Sequence, residues 1–186
     1  MRNAVPALAR RIYFPLLGLL ILLILLQFPT EIMSKSEDCS ECSKKDKVPY
    51  RFALLNLKGE IVTFSKLIKE NNIIVAFWAS YCLPCRREVP QLIDLEKKYG
   101  KSKNIKLVLV NTDKEGKNKA VSSLKEMNVI NECLLDIYQV ALQKYSPKLQ
   151  IPATFLINKQ GELLLKIIGE SKENLNKIEK ALQKMK

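Results

Sequence analysis

The sequence predicts an α/β domain, a mixed central sheet flanked by helices and opened by a β-hairpin, set behind an N-terminal transmembrane anchor and a polar tether. Three observations carry this. An uncharged apolar run fills Ile12 to Thr30, and two further apolar runs, Ile73 to Trp78 and Ile105 to Val110, suit strands buried on both faces. From Tyr50 to the end, strand-like and helix-like segments alternate.

At about 1.5 Å of helical rise per residue, Ile12 to Thr30 reaches about 28 Å, close to the roughly 30 Å hydrocarbon core of a bilayer. Arg2, Arg10 and Arg11 precede it, so residues 1–11 read as a cytoplasmic basic flank, 12–30 as a signal anchor, and the rest as extracytoplasmic, on the bacterial periplasmic or cell-surface side. Cleavage is the competing reading: Ser34-Lys35-Ser36 has the required spacing of small residues but lies far beyond the apolar run. Residues 31–49 are polar, hold Cys39 and Cys42, and read as a tether to the domain at 50–186.

Within that domain, Arg51 to Leu57 and Ile61 to Phe64 flank Lys58-Gly59-Glu60 as a hairpin. After the strand at Ile73 to Trp78, Arg86 to Tyr99 carries helical periodicity through Val89, Leu92, Ile93 and Leu95, with Pro90 in its first turns. Beyond the strand at Ile105 to Val110 come a helix near Lys117 to Met127, a short strand at Cys133 to Asp136 and a helix at Ile137 to Tyr145. Strands at Thr154 to Asn158 and Glu162 to Ile168, split by Lys159-Gln160-Gly161, and a helix from Lys172 complete the domain.

Basic residues outnumber acidic ones 31 to 19, and histidine is absent. That absence excludes Ser-His-Asp and Cys-His catalysis, His-ligated metals and c-type haem attachment. Nucleic acid is not an expected partner, because no basic run is interleaved with aromatics; the scattered lysines read as solubility, although the charge would also attract anionic lipid.

The chemistry concentrates after the first central strand, in Trp78-Ala79-Ser80-Tyr81-Cys82-Leu83-Pro84-Cys85. A Cys-x-x-Cys pair alone also suits half of a zinc site, but the domain holds no second pair to complete one. Here the pair lies between a strand and a helix, where free backbone N–H groups and the positive dipole end favour a thiolate at Cys82. No metal and no cofactor beyond the redox-active Cys82–Cys85 pair is expected.

These residues resemble the thioredoxin superfamily, and more closely its membrane-anchored TlpA/ResA-like thiol-disulfide oxidoreductases. The likeness runs from about Tyr50 to Lys186 and includes Phe77-Trp78-Ala79, the Cys pair, Glu88, Pro90, and Ile151-Pro152-Ala153-Thr154 through Asn158 with Gly161. It implies a thioredoxin-like fold, Cys82 as attacking and Cys85 as resolving thiol, and a cis-proline at Pro152 facing them. It further implies that Ile151, Pro152, Trp78 and Tyr81 contact substrate, Trp78 reading also as a packing residue beside the site, and that the partners are protein thiols and disulfides and a membrane or extracytoplasmic redox partner. Reduction of protein disulfides, as in cytochrome c maturation, is the function implied; disulfide oxidation or isomerisation, or a non-catalytic binding module of the same fold, are the alternatives. Two departures remove proton-handling carboxylates: Ala76 stands where thioredoxin has a buried acid, and Leu83 where some tethered relatives have Glu.

Other residues carry two readings each. Arg86 and Arg87 either tune the thiolate and select acidic partners or are a solvated helix face. Cys133 reads as a small buried hydrophobe. Cys39 and Cys42 are an incidental or locally bonded pair, metal ligands, or a second redox couple exchanging with Cys82.

Overall fold

In this computed structural model the structure describes Val48 and residues 50–185. The expected anchor, most of the expected tether, Cys39 and Cys42 lie outside the described residues, among which no helix is long and apolar enough to cross a membrane.

Seven strands form one mixed sheet: β1 (Ala53–Asn56), β2 (Ile61–Thr63), β3 (Asn72–Trp78), β4 (Ile105–Asn111), β5 (Cys133–Leu135), β6 (Ala153–Ile157) and β7 (Leu163–Ile168). Their spatial order is β2-β1-β5-β4-β3-β6-β7. β3, β4 and β5 run parallel, whereas the remaining pairings are antiparallel.

β3 is buried along its whole length, and its side chains alternate between two cores. Ile74, Ala76 and Trp78 join Val89, Leu92 and Leu95 of α2 (Leu83–Lys103), Ala120 and Leu124 of α3 (Lys117–Glu126), and Ile178 and Leu182 of α5 (Lys172–Lys184). Ile73, Val75 and Phe77 face the other way, onto Phe64, Leu67 and Ile68 of α1 (Phe64–Glu70) and Ala141, Leu142 and Tyr145 of α4 (Val140–Tyr145). The second core centres on aromatic packing, with Tyr145 and Phe155 4.9 Å apart between ring centroids and Phe77 against both.

Several element boundaries differ from expectation for local reasons. The strand expected to run through Phe64 ends at Thr63, whose hydroxyl accepts the Lys66 N–H at 3.3 Å and caps α1, a helix absent from the sequence-based expectation. α2 starts three residues earlier than expected, at Leu83, because Cys82 caps it and Pro84 suits a first turn; it then runs through Pro90 to Lys103. The helix expected from Ile137 begins only at Val140, since residues 137–139 form a turn beneath the buried Asp136 carboxylate, which accepts the Ala141 and Leu142 N–H groups at 3.3 and 2.8 Å.

Tyr145 donates its hydroxyl to the Tyr50 carbonyl at 2.8 Å, tying α4 to the start of the domain. Tyr145→Phe is expected to cost about 1 kcal/mol, the net worth of one hydrogen bond, and Tyr145→Ala about 3 to 5 kcal/mol through loss of the ring. Urea unfolding measures both; equal losses would show that the ring contributes nothing beyond the hydroxyl.

Candidate active site

Strand β3 delivers the chain to the cysteines at its carboxyl end. Past Trp78, the Cys82 N–H donates to the Ala79 carbonyl at 3.1 Å, closing a tight turn, and Cys82 becomes the N-cap of α2. Its Sγ accepts the Cys85 N–H at 3.2 Å, and its carbonyl accepts the Arg86 N–H at 3.1 Å. The sulfur thus occupies the place where a capping oxygen usually sits, at the positive end of the helix. Cys82 and Cys85 form a disulfide, S–S 2.02 Å. Cys82 is 8% exposed and Cys85 0%, so Cys82 is the sulfur an incoming molecule meets.

β6 lies along one edge of β3 and is entered through Pro152. Register pairs Phe77 with Ala153, which sets Trp78 and Pro152 side by side at the same end of the sheet. The Ile151-Pro152 bond is cis, and half-buried Ile151 packs against the core cluster that contains both cysteines. One residue past Ala153, the Thr154 hydroxyl donates to Glu88 Oε1 at 3.3 Å, joining this strand to the cysteine-bearing helix.

Glu88 is an acid whose surroundings the sequence does not disclose. It is buried, and burial pushes its carboxyl up to about 7, with Glu170 adding like-charge repulsion and the Thr154 hydroxyl pulling the other way. Three residues after Cys85, it shares a helix face with that cysteine. Its spacing is visible in the sequence, but its desolvation is not.

The remaining candidates separate. Trp78, expected to touch substrate, is 1% exposed because the alternation of β3 turns it inward; it supports the site from beneath. Tyr81, in contrast, is 69% exposed beside Cys82, as is Leu83 at 68%. Arg86 and Arg87 each form an ion pair at the surface, with Glu126 at 2.7 Å and Glu170 at 2.9 Å, the solvated-face reading. Cys133 is buried, and desolvation raises its thiol to about 12, which keeps it protonated and inert. Among the described residues no cluster of three or more Cys, Asp or Glu is placed to hold a metal ion.

The sequence pattern of the Redoxin family matches residues 43–182. The chain belongs to that family. Thiol-disulfide oxidoreductase ResA of Bacillus cereus is 30% identical over 125 residues, covering 67% of this chain and 70% of the relative. Sporulation thiol-disulfide oxidoreductase A of Bacillus subtilis is also 30% identical, over 68% of this chain and 75% of its own. Among solved structures, one from Chlorobium tepidum assigned as thiol:disulfide interchange protein DsbE superposes with a TM-score of 0.67 at 28% identity, covering 77% of this chain and 97% of that one. This Redoxin-family chain is therefore a thioredoxin-like thiol-disulfide oxidoreductase of the ResA/DsbE type, with its cysteine pair bonded at a helix start.

Glu88 gives stability a defined pH dependence. The native carboxyl takes its proton near 7 and the unfolded one near 4.5, so between these values the native state holds the extra proton and stability falls as pH rises. Above about 7 the loss is complete. Glu88→Gln in the oxidised protein is expected to match wild type at pH 4 and to exceed it by on the order of 3 kcal/mol at pH 8. Unfolding midpoints at the two pH values check this, and a difference that does not change with pH would contradict the assignment.

Proposed function

We propose that this oxidoreductase is held at a membrane by residues 12–30, works on the extracytoplasmic side, and reduces protein disulfides, those of apocytochromes during cytochrome c maturation among them. The observation that carries the chemical part is the asymmetry of the pair: Cys82 caps the helix and reaches the surface, while Cys85 is sealed behind it. The names of the relatives, thiol-disulfide oxidoreductases all, support protein thiols and disulfides as substrates.

In the reduced protein the Cys82 thiolate, favoured by the helix N-terminus, attacks one sulfur of a substrate disulfide. A Cys82–substrate disulfide forms, and the other substrate sulfur leaves as a thiolate that takes a proton from water. Cys85 then surrenders its proton to the Glu88 carboxylate, whose value near neutrality suits it to hold one at the working pH, and attacks Cys82 Sγ. The second substrate sulfur departs. Two electrons have passed to the substrate, which ends as a dithiol, and the Cys82–Cys85 disulfide is restored. Pro152, Ile151 and exposed Tyr81 border the position where the substrate chain would lie, with the Ile151 backbone available to an extended segment.

Alkylation of the reduced protein at pH 7 should modify Cys82 first, Cys85→Ser should accumulate mixed disulfides through Cys82 in cells, and Cys82→Ser should form none. The trapped partners identify the substrates, and their absence from cytochrome maturation would refute that assignment. Equilibration with a redox buffer should give a reduction potential more negative than about −220 mV; a value near −120 mV would turn the reading to disulfide formation.

A further inference from the structure

Beyond the cysteines and Glu88, the site contains a buried carboxylate without a part in the disulfide exchange. Asp113 is 3% exposed and lies two residues beyond the end of β4. Its Oδ1 and Oδ2 share the Ser80 N–H at 3.1 and 3.0 Å, Oδ1 accepts the Ser80 hydroxyl at 3.1 Å, and Oδ2 accepts Asn111 Nδ2 at 2.8 Å. A buried carboxylate usually satisfies itself on its own element or on a cation. This one directs three of its four hydrogen bonds to a single residue two positions before Cys82.

The neighbouring bonds reinforce the same segment. Thr112 donates both its N–H and its hydroxyl to the Trp78 carbonyl, at 2.9 and 3.2 Å. Residues 111–113 are themselves fixed from the far side, where the Asp136 N–H donates to the Asn111 carbonyl at 2.8 Å and Gln139 Nε2 to that of Thr112 at 3.1 Å. Between this clasp and the helix cap stands only Tyr81, which is 69% exposed. The position of Cys82 is therefore set by Ser80 on one side and by the first turn of α2 on the other.

We propose that Asp113 is a positioning residue for the attacking thiol: by gripping Ser80 it holds the turn that keeps Cys82 Sγ at the helix cap. This rests on the reading of Cys82 as the attacking cysteine. The positional effect opposes the direct effect of Asp113's charge, because a carboxylate near a thiolate disfavours it, whereas a correctly capped thiolate is favoured. The two therefore predict opposite signs.

The test is the pH profile of Cys82 alkylation in the reduced full-length protein, followed by mass spectrometry, for wild type, Asp113→Ala, Asp113→Asn and Ser80→Ala. Asp113→Ala is expected to slow Cys82 modification at pH 7 by about tenfold, one unit of thiol pKa, and to shift the reduction potential to more negative values. Asp113→Asn retains an acceptor for the Ser80 N–H and should stay within about threefold of wild type. Tyr145→Phe, which weakens the opposite core, should leave the profile unmoved and so separates positioning from general loss of stability. Wild-type rates in Asp113→Ala, or faster modification in both Asp113 variants, would overturn the proposal in favour of a passive or purely electrostatic group. Should Asp113→Ala fail to fold, Ser80→Ala decides: it removes one of the three bonds to Ser80, and a slowing of about two- to threefold supports the clasp, whereas no change overturns it. If Cys85 reacts first in wild type, the assignment of the attacking cysteine has failed, independently of Asp113.

Discussion

The two-sided burial of β3 is the constraint on which the site depends. Its seven residues are covered on both faces and paired along both edges, in parallel with β4 and antiparallel with β6. Such a strand has no freedom to slip, because a one-residue shift would exchange the side chains committed to one core for those committed to the other. The end of β3 is thus a fixed point, and its fixity passes to the turn at Ala79, the helix cap at Cys82 and the start of β6 after Pro152.

Much of this is legible in the chain. Continuous apolar runs identify β3 and β4 because strands buried on both faces carry no polar alternation, and Cys82-Leu83-Pro84-Cys85 declares itself by spacing and by its place after such a run. The features that escape depend on three-dimensional surroundings. α1 is a seven-residue helix whose short pattern of Phe64, Leu67 and Ile68 merges with the strand before it, and only the Thr63 cap separates them. Trp78 resembles a surface for substrate because aromatic residues beside a reactive pair often are, yet the alternation of β3 settles its direction. Glu88 and Asp113 are ordinary acids in a chain with many; burial and donors decide what each does, and neither is written in spacing.

Three buried carboxyl groups stand in or near this histidine-free site. Asp113 and Asp136 are buried and each accepts several N–H or O–H donors, the usual condition for retaining a desolvated acid. Glu88 receives the Thr154 hydroxyl and is pushed toward neutrality by its surroundings. Two of these acids are thus held by several donors, whereas Glu88 receives one hydroxyl and lies where burial pushes its carboxyl up.

The Val48 N–H donates to the Gly161 carbonyl at 3.2 Å, in the turn between β6 and β7. Because Ile157 pairs with Ile73 at the foot of β3, that turn lies at the pole opposite the cysteines, at least about 20 Å away at the usual rise of a strand. At Val48 the described chain therefore meets the domain at its base. A pull applied to the chain at Val48 would load the β6–β7 turn, roughly a strand's length from the cysteines, and leave the reactive sulfur mechanically idle.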